Sequence, residues 1–497
     1  MNVCFVNLNF VVQANDKFTT GIIYMPIGLS YILGYFKSKN VDYQLIDLFG
    51  NNPDSSHTFG KFMLLGDNPN TIESKLNPNI KIIFIFANHL INHISLSKVV
   101  ESIKSSKFDI KICVIENTQA VTAYAIKPIK NELFDLGVDY LISGYGEKSA
   151  YELYQKIYNK ISLSDGDEIR GLITKNYENK NIFSENLDEI PFPDWSKFNL
   201  KAYWNLNHAH GPLSSKKYLP ILTSRGCPYP CKFCVVPYTN DRKWNSRSAE
   251  NVIQEIKYLK NTYDVSEFHL EDLNPTVNDR RTKEFCKKII NEKINIKWKI
   301  VAGTKVESIR DEETVRLMAL AGCKYVSISP ETGSPRLLEL IDKPFKIDHA
   351  IRIIGYMNKY KIKSQACFVI GFPGENDDDL LKTENMIKRI TKIGIDEIAV
   401  FIISPVPGSS IFDKLSGYSQ LSDLNFTPTW RNDYKKLSKV RIKFYAIFLL
   451  YKIIFHPLKV LIQVKNFFSK NFETKMEMVP FKAFKYSLNQ LRNFTKN

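Results

Sequence analysis

The feature that most limits what this chain can fold into is a repeated beat of strand and helix between residues 220 and 425. The strands read YLPILTS, SEFHLED, IKWKIVAG, YVSISPE, SQACFVIGF and EIAVFIISP, and helical stretches of roughly 10–15 residues separate them. Parallel neighbours need a long crossover, which a helix supplies. Six successive units, read as lacking any internal alternation of apolar and polar residues, predict a parallel barrel or part of one. Chemistry is then expected at the C-terminal ends of the strands.

Residues 1–160 carry the same beat. VCFVNL, YQLIDL, KIIFIFA, KICVIE and DYLISG read as strands, and PIGLSYILGYFKSKN as a helix. This predicts a doubly wound, Rossmann-like unit. Residues 161–219 read as a connector, because NYENKNIFSENLDEIPFPDW is rich in Asn and Glu and its two prolines resist helix. Residues 426–497 are different again: basic, aromatic and almost free of acids. The expected fold class is α/β, with a doubly wound N-terminal domain, a connector, a partial (β/α)6 barrel over 220–425 and a basic helical C-terminal region.

Of the 497 residues, 44% are apolar and 24% charged, a globular composition that excludes wholesale disorder. No apolar run reaches the ~18 residues of a spanning helix, and the longest, from Phe444 to Phe455, contains Lys452. MNVCFVNLNFVV at the start lacks a basic stretch and reads as a strand, so no signal peptide is expected. The net charge is +16, but from Arg431 onward 15 Lys+Arg face 3 Asp+Glu, which places +12 there and only +4 on the rest. A nearly neutral body does not suggest nucleic acid.

Cys4, Cys113, Cys286, Cys323 and Cys367 stand singly, mostly in apolar runs, and are expected to be structural. They do not form a disulfide framework, which points to a reducing compartment. Cys227, Cys231 and Cys234 lie together in SRGCPYPCKFCVVPY, spaced C-x3-C-x2-C, directly after the first barrel strand. Three thiolates on one loop can bind three irons of a [4Fe–4S] cube and leave the fourth open to another ligand. Pro228 and Pro230 keep the loop from becoming a helix. A structural zinc site wants four ligands, usually as two close pairs, and only His208 and His210 upstream could complete one.

With Phe233 before the last cysteine, this stretch resembles the radical SAM superfamily. The resemblance implies a [4Fe–4S] cluster whose open iron is chelated by the amino and carboxylate groups of S-adenosylmethionine (SAM). It also implies reductive cleavage of the sulfonium to a 5′-deoxyadenosyl radical. Later segments resemble the family too. FHLEDLN offers Glu271 or Asp272 to the methionine ammonium. GCKYVSISPETGS looks like G-C-x-x-V-x-x-G-x-E-S-G-S, departing at Ser329 and Pro330, and places Glu331 to contact the ribose or amino-acid part of SAM. FVIGFPGEND resembles the segment whose backbone contacts adenine, with Gly371 and Gly374 permitting close approach. FIISPVPGSSIFD matches a P-x-P-G-(T/S) stretch at the sixth strand. Residues that act on the substrate itself are not legible.

Residues 1–160 resemble the cobalamin-binding domain that precedes the barrel in one branch of that superfamily. The matching pieces are MPIGLSYILGYFKSKN, VDYQLIDL, LGVDYLISGYGEKSAYEL and the connector LDEIPFPDW. The resemblance implies cobalamin-dependent methyl transfer to an unactivated carbon. The alternative is a radical rearrangement or oxidation without cobalamin, the first domain being vestigial. D-x-H-x-x-G, whose His ligates cobalt from below in many corrinoid domains, is absent. His89 and His93 read as a solvated or capping pair. A tRNA methylthiotransferase would need a second cluster on N-terminal cysteines, and only Cys4 and Cys113 precede the motif. A non-catalytic iron–sulfur protein is the remaining rival.

Beyond the barrel, Arg441, Lys452, His456, Lys459, Gln463, Asn466 and Lys470 share one narrow stripe of a helix that Pro457 would kink, and the other positions are mostly apolar. That pattern suits an anionic membrane surface, or equally a helix packed on the barrel with snorkelling lysines. The expected partners are a small-molecule or lipid-like substrate, an external electron donor of flavodoxin or ferredoxin type, and a membrane met peripherally through residues 431–497. No nucleic acid is expected. The expected location is cytoplasmic, at the inner face of the membrane if the tail binds there.

Overall fold

The computed structural model describes residues 1–13, 22–164, 168–181, 183, 186–343 and 345–481. In the first sheet the strands stand in the order Gln44–Asp47, Val3–Asn7, Ile82–Ala87, Lys111–Glu116, Tyr140–Ile142 and Leu172–Ile173. All neighbours are parallel except the last, which joins the edge antiparallel from within the connector stretch. The apolar strand runs are explained by burial on both faces. Phe5, Phe84 and Ile115 share one core with the helix Ile27–Ser38, while Val6, Ile85 and Val114 share another with the helix His93–Lys104. Strand order switches direction between Val3–Asn7 and Ile82–Ala87, the point beyond which doubly wound sheets bind ligands. The sequence reading missed a small antiparallel sheet of Phe10–Gln13, Ser56–Phe59 and Phe62–Leu65, whose strands are only four residues long.

The second sheet runs Leu219–Ile221, Glu267–Leu270, Lys297–Thr304, Cys323–Glu331, Lys363–Ile370 and Glu397–Ile402, in chain order and parallel throughout. This is the expected six-stranded partial barrel. The absence of internal alternation was a misreading. Glu267, His269 and Glu271 alternate with Phe268 and Leu270, and Lys299, Tyr325, Gln365 and Glu397 continue the polar set on the other strands. Lys299 reaches Glu267 at 2.7 Å, Tyr325 donates to Glu397 at 2.5 Å, and Gln365 donates to Glu397 at 3.1 Å. These groups line the inside, where each buried polar atom needs a partner.

The C-terminal region is two helices, Tyr434–Phe455 and Pro457–Ser469, bent by 114° at the break that Pro457 imposes. Among the described residues no single helix is long and apolar enough to cross a membrane. The polar stripe faces inward. Arg441, Lys452 and Asn466 are buried; Lys452 donates to the Asp396 carbonyl and to Gln463, and Lys459 donates to Asp396 at 3.0 Å. The expectation of a solvent-facing or snorkelling basic stripe is thus corrected. The lysines find carbonyls and carboxylates at the strand starts, which water would otherwise have to satisfy. Further along, Lys475 enters the barrel, where its ammonium donates to the Val301 carbonyl at 3.3 Å and lies 5.9 Å from the Tyr325 ring.

Candidate active site

The cysteine loop opens with a forced turn. Gly226 has φ +79°, and a Cβ there would stand 2.1 Å from the Lys243 carbonyl oxygen, so only glycine fits. The strand Ser224–Gly226 pairs antiparallel with Trp244–Ser246 and delivers Cys227, Cys231 and Cys234 half-buried at the barrel mouth. Aromatic side chains brace the loop. Phe233 packs edge-on against Phe372 at 5.4 Å, and Lys305 sits 3.7 Å over the Tyr229 ring.

Burial pushes the three thiols above their ordinary range, and the ammonium groups of Lys343 and Lys305 pull the first two back down. Cys234 is pushed up by burial and by Cys231. The side chain of Asn274 is buried beside Cys227 and favours its thiolate form. Among the described residues no three His, Cys, Asp or Glu side chains converge to hold one metal ion. Lys343 and Lys305, together with Asn274 beside Cys227, offset the negative charge that thiolates here would carry. Of the two histidines that could have completed a zinc site, His210 is engaged by Glu271.

The two adjacent carboxylates have different surroundings. Asp272 is fully buried and accepts from the Thr223 backbone (3.0 Å), the Thr223 hydroxyl (2.7 Å) and the Ser224 hydroxyl (2.6 Å). It ties the start of the cysteine loop to the second barrel strand, with most of these bonds on its Oδ1 oxygen. Glu271 meets only the His210 ring, at 2.5 Å. Burial raises Glu271 to about 7 and drives His210 well below the usual range. Glu331 ends the fourth strand with φ +63°, a strained conformation for a side chain of this size, and pairs with Lys343.

Gly371 and Gly374 both have φ +85°. The close approach at Gly371 is to Leu437 and Arg431 of the C-terminal region, its N–H is taken by Glu375, and its carbonyl accepts from Arg431 at 3.0 Å. The Gly371 N–H and carbonyl thus both have protein partners. Gly374 accepts from Arg336 at 2.8 Å and has only the end of Leu340 nearby.

The mouth is shared with the first sheet. Tyr24 lies between His89 (4.4 Å) and His210 (4.5 Å), its ring tilted by 47° and 52° to theirs, so three rings link the switch-point loop to Glu271. His89 bonds Thr122 at 2.9 Å and is lowered to about 3 by burial and by His210. His93 instead turns to Glu132 at 3.2 Å, so the two histidines do not act as a pair. Beside Tyr24 and His89 an open cleft of about 650 Å³ reaches Phe10, Asn92 and Phe426. At the ends of the first-sheet strands the Asn88 side chain donates to the Asn7 side chain at 2.9 Å, and the Asn117 side chain donates to the Asn88 backbone carbonyl at 3.0 Å. On the other side Arg225, two residues before Cys227, makes a bidentate pair with Glu147 of the GYGE stretch at 2.5 and 3.2 Å.

Sequence reasoning missed Tyr24, His210, Arg225, Lys343, Cys367 and Lys475. Cys367 is not packed in an apolar run. It lines the barrel, bonds Ser327 at 3.5 Å, and is held at about 11 by burial. Period-two spacing with Gln365 was the available signal.

A parallel barrel with a three-cysteine loop at its mouth, joined to a doubly wound domain, defines a radical-type iron–sulfur enzyme architecture. Residues 221–387 match the radical SAM superfamily, so the barrel carries a radical SAM domain. Over 302 residues it is 28% identical to an uncharacterized methyltransferase of Pyrococcus horikoshii, covering 59% of this chain and 61% of that protein. Over 428 residues it is 25% identical to the cytidylyl-2-hydroxyethylphosphonate methyltransferase of Streptomyces wedmorensis, covering 78% and 77%. Among solved structures, the radical SAM methyltransferase TsrM from Kitasatospora setae, with cobalamin and a [4Fe–4S] cluster bound, superposes with TM-score 0.62 at 16% identity over 83% of this chain and 74% of that one. The cobalamin-dependent enzyme OxsB gives 0.60 at 16% identity over 85% and 56%. The chain therefore spans less than two thirds of the Pyrococcus relative and of OxsB, and the structural likenesses carry the fold.

Proposed function

We propose that this chain is a cobalamin-dependent radical SAM methyltransferase acting on an unactivated carbon of a small-molecule or lipid-like substrate. The observation that carries the reading is the run of side chains from the switch-point loop into the barrel, His89 to Tyr24 to His210 to Glu271. When bound, the cluster supplies the electron that breaks a SAM carbon–sulfur bond, and cobalamin supplies a transferable methyl group. Cys227, Cys231 and Cys234 hold the cluster, and Phe233 shields it on the Phe372 side. Glu271 is the carboxylate for the methionine ammonium, because Asp272 is already committed to Thr223 and Ser224 at the start of the cysteine loop. Glu331, held by Lys343, faces the remaining polar part of SAM, and Gly374 leaves room for adenine. The proton shared by Glu271 and His210 can be held or released near neutral pH.

The amide-lined strand ends and the aromatic cleft suit a corrinoid rim rich in amides. Cobalamin would sit there without a histidine contributed by a D-x-H-x-x-G stretch. The partners of this reading are an external one-electron donor and a membrane surface met from the cytoplasmic side through residues 431–497. The methylthiotransferase alternative loses its second cluster, since Cys4 and Cys113 are buried within the first sheet. The test is anaerobic reconstitution with iron, sulfide and cobalamin. The wild type should show cluster absorption, retain corrinoid and cleave SAM under dithionite. Cys227→Ala/Cys231→Ala/Cys234→Ala should lose the cluster and cleavage. A triple variant that keeps four irons per chain, or a wild type that never retains corrinoid, refutes the respective half.

A further inference from the structure

The inward turn of the polar stripe leaves the apolar side of both C-terminal helices uncovered. Leu450, Ile454, Leu461 and Phe468 are 55, 60, 65 and 76% exposed, and Leu449 and Ile453 lie beside them. Monomers rarely leave a contiguous apolar patch larger than a few hundred Å² in water. The patch gathers at the elbow, where the helices diverge by 114°, so it projects from the body instead of lying in a groove. Its surroundings are basic. Lys435, Lys439, Lys465 and Lys470 are exposed on the same two helices, and among the described residues none of them makes an ion pair. No Asp or Glu occurs between Tyr434 and Lys470.

We propose that this elbow is a monotopic membrane anchor whose apolar face enters the outer part of an anionic bilayer. The proposal deepens the peripheral association above by assigning it to a surface. The observation that selects a bilayer is charge complementarity. Lys436 and Lys443 pair with Asp377 and Glu384, but the four exposed lysines without an ion pair beside the apolar face match anionic headgroups over hydrocarbon. A second copy of this chain would bring the same cations against one another. The elbow does not span. Its other side is bonded to the barrel through Lys452 and Lys459, which keeps the helices on the protein surface.

The test uses the full chain, reconstituted, with vesicles of phosphatidylcholine alone or in equal parts with phosphatidylglycerol. The wild type should cosediment with the anionic vesicles and less with the neutral ones. Leu450→Gln/Ile454→Gln/Leu461→Gln should weaken binding at least about tenfold, as the loss of three inserted side chains demands. Iron content and SAM cleavage should not change in that variant. Lys435→Gln/Lys439→Gln/Lys465→Gln should weaken binding and flatten its salt dependence. A wild type that ignores both vesicles overturns the proposal, and if it elutes as a dimer that the triple Gln variant dissolves, the face is a self-association surface. Binding that survives the apolar variant but vanishes on removing residues 482–497 moves the anchor to that segment. SAM cleavage is scored separately, so failure of the chemistry and failure of the anchor are distinguishable.

Discussion

Glu147→Ala tests how the cysteine loop is held against the first domain. Arg225 and Glu147 form two hydrogen bonds, with side chains only 7 and 6% exposed. Removing one partner of a buried pair costs about 3–5 kcal/mol, because the other charge stays buried and alone. Here the guanidinium also lies 4.8 Å from the Tyr145 ring and 5.5 Å from the Tyr31 ring. Such contacts are worth about 1 kcal/mol each and continue to stabilise the cation, so the low end, about 3 kcal/mol, is expected. That is more than a hundredfold in the folding equilibrium, about 1.4 kcal/mol being tenfold. Anaerobic urea unfolding of cluster-loaded protein, followed by circular dichroism, measures it as a shift in midpoint at constant slope. Arg225→Met/Glu147→Leu removes both charges and should cost less than the single change. A Glu147→Ala variant within about 1 kcal/mol of wild type would refute the reasoning, as would a double variant as unstable as the single.

Three further outcomes are expected. Asp272→Ala strips the acceptor from the Thr223 N–H and from the Thr223 and Ser224 hydroxyls, so iron per folded chain should fall, whereas Glu271→Gln should keep its iron, as a colorimetric iron assay would read. Burial holds Glu271 near 7 instead of 4.5, so the folded chain keeps a proton that the unfolded chain releases between those values. Its contribution to stability therefore declines as pH rises through that window, and Glu271→Gln should flatten that part of the wild-type pH–stability profile. Truncation after Thr429 should destabilise the barrel and not merely free a tail, because Arg431 bonds the Gly371 and Ile403 carbonyls and Lys475 bonds Val301; an unchanged thermal midpoint would contradict this.

The two sheets and the cysteine loop were legible because each rests on a local signal. Strand runs such as KIIFIFA and SQACFVIGF are long, apolar and separated by helices, and C-x3-C-x2-C lies within a single turn. What escaped was the pairing of groups distant in the chain. Asp272 and Glu271 are neighbours in sequence, yet only the fold sends one to Thr223 and the other to His210, 61 residues away. Gly371 had the conformational freedom expected of it, but its carbonyl accepts from Arg431, distant in the chain.

The C-terminal helices show why pattern alone misassigned a face. A narrow polar stripe on an apolar helix is symmetric information: it states that two sides differ, not which one meets water. The usual assumption sends charge outward, because burying an ammonium costs several kcal/mol. That cost is offset where acceptors wait, and Asp396, Gly394 and Gln463 stand opposite Lys452 and Lys459. Once the lysines are committed inward, helical geometry places Leu450, Ile454 and Leu461 outward. An apolar face exposed in this way is a consequence of the barrel's own polar rim at the strand starts. The same residues that close the barrel thereby decide which surface is left to meet a second phase.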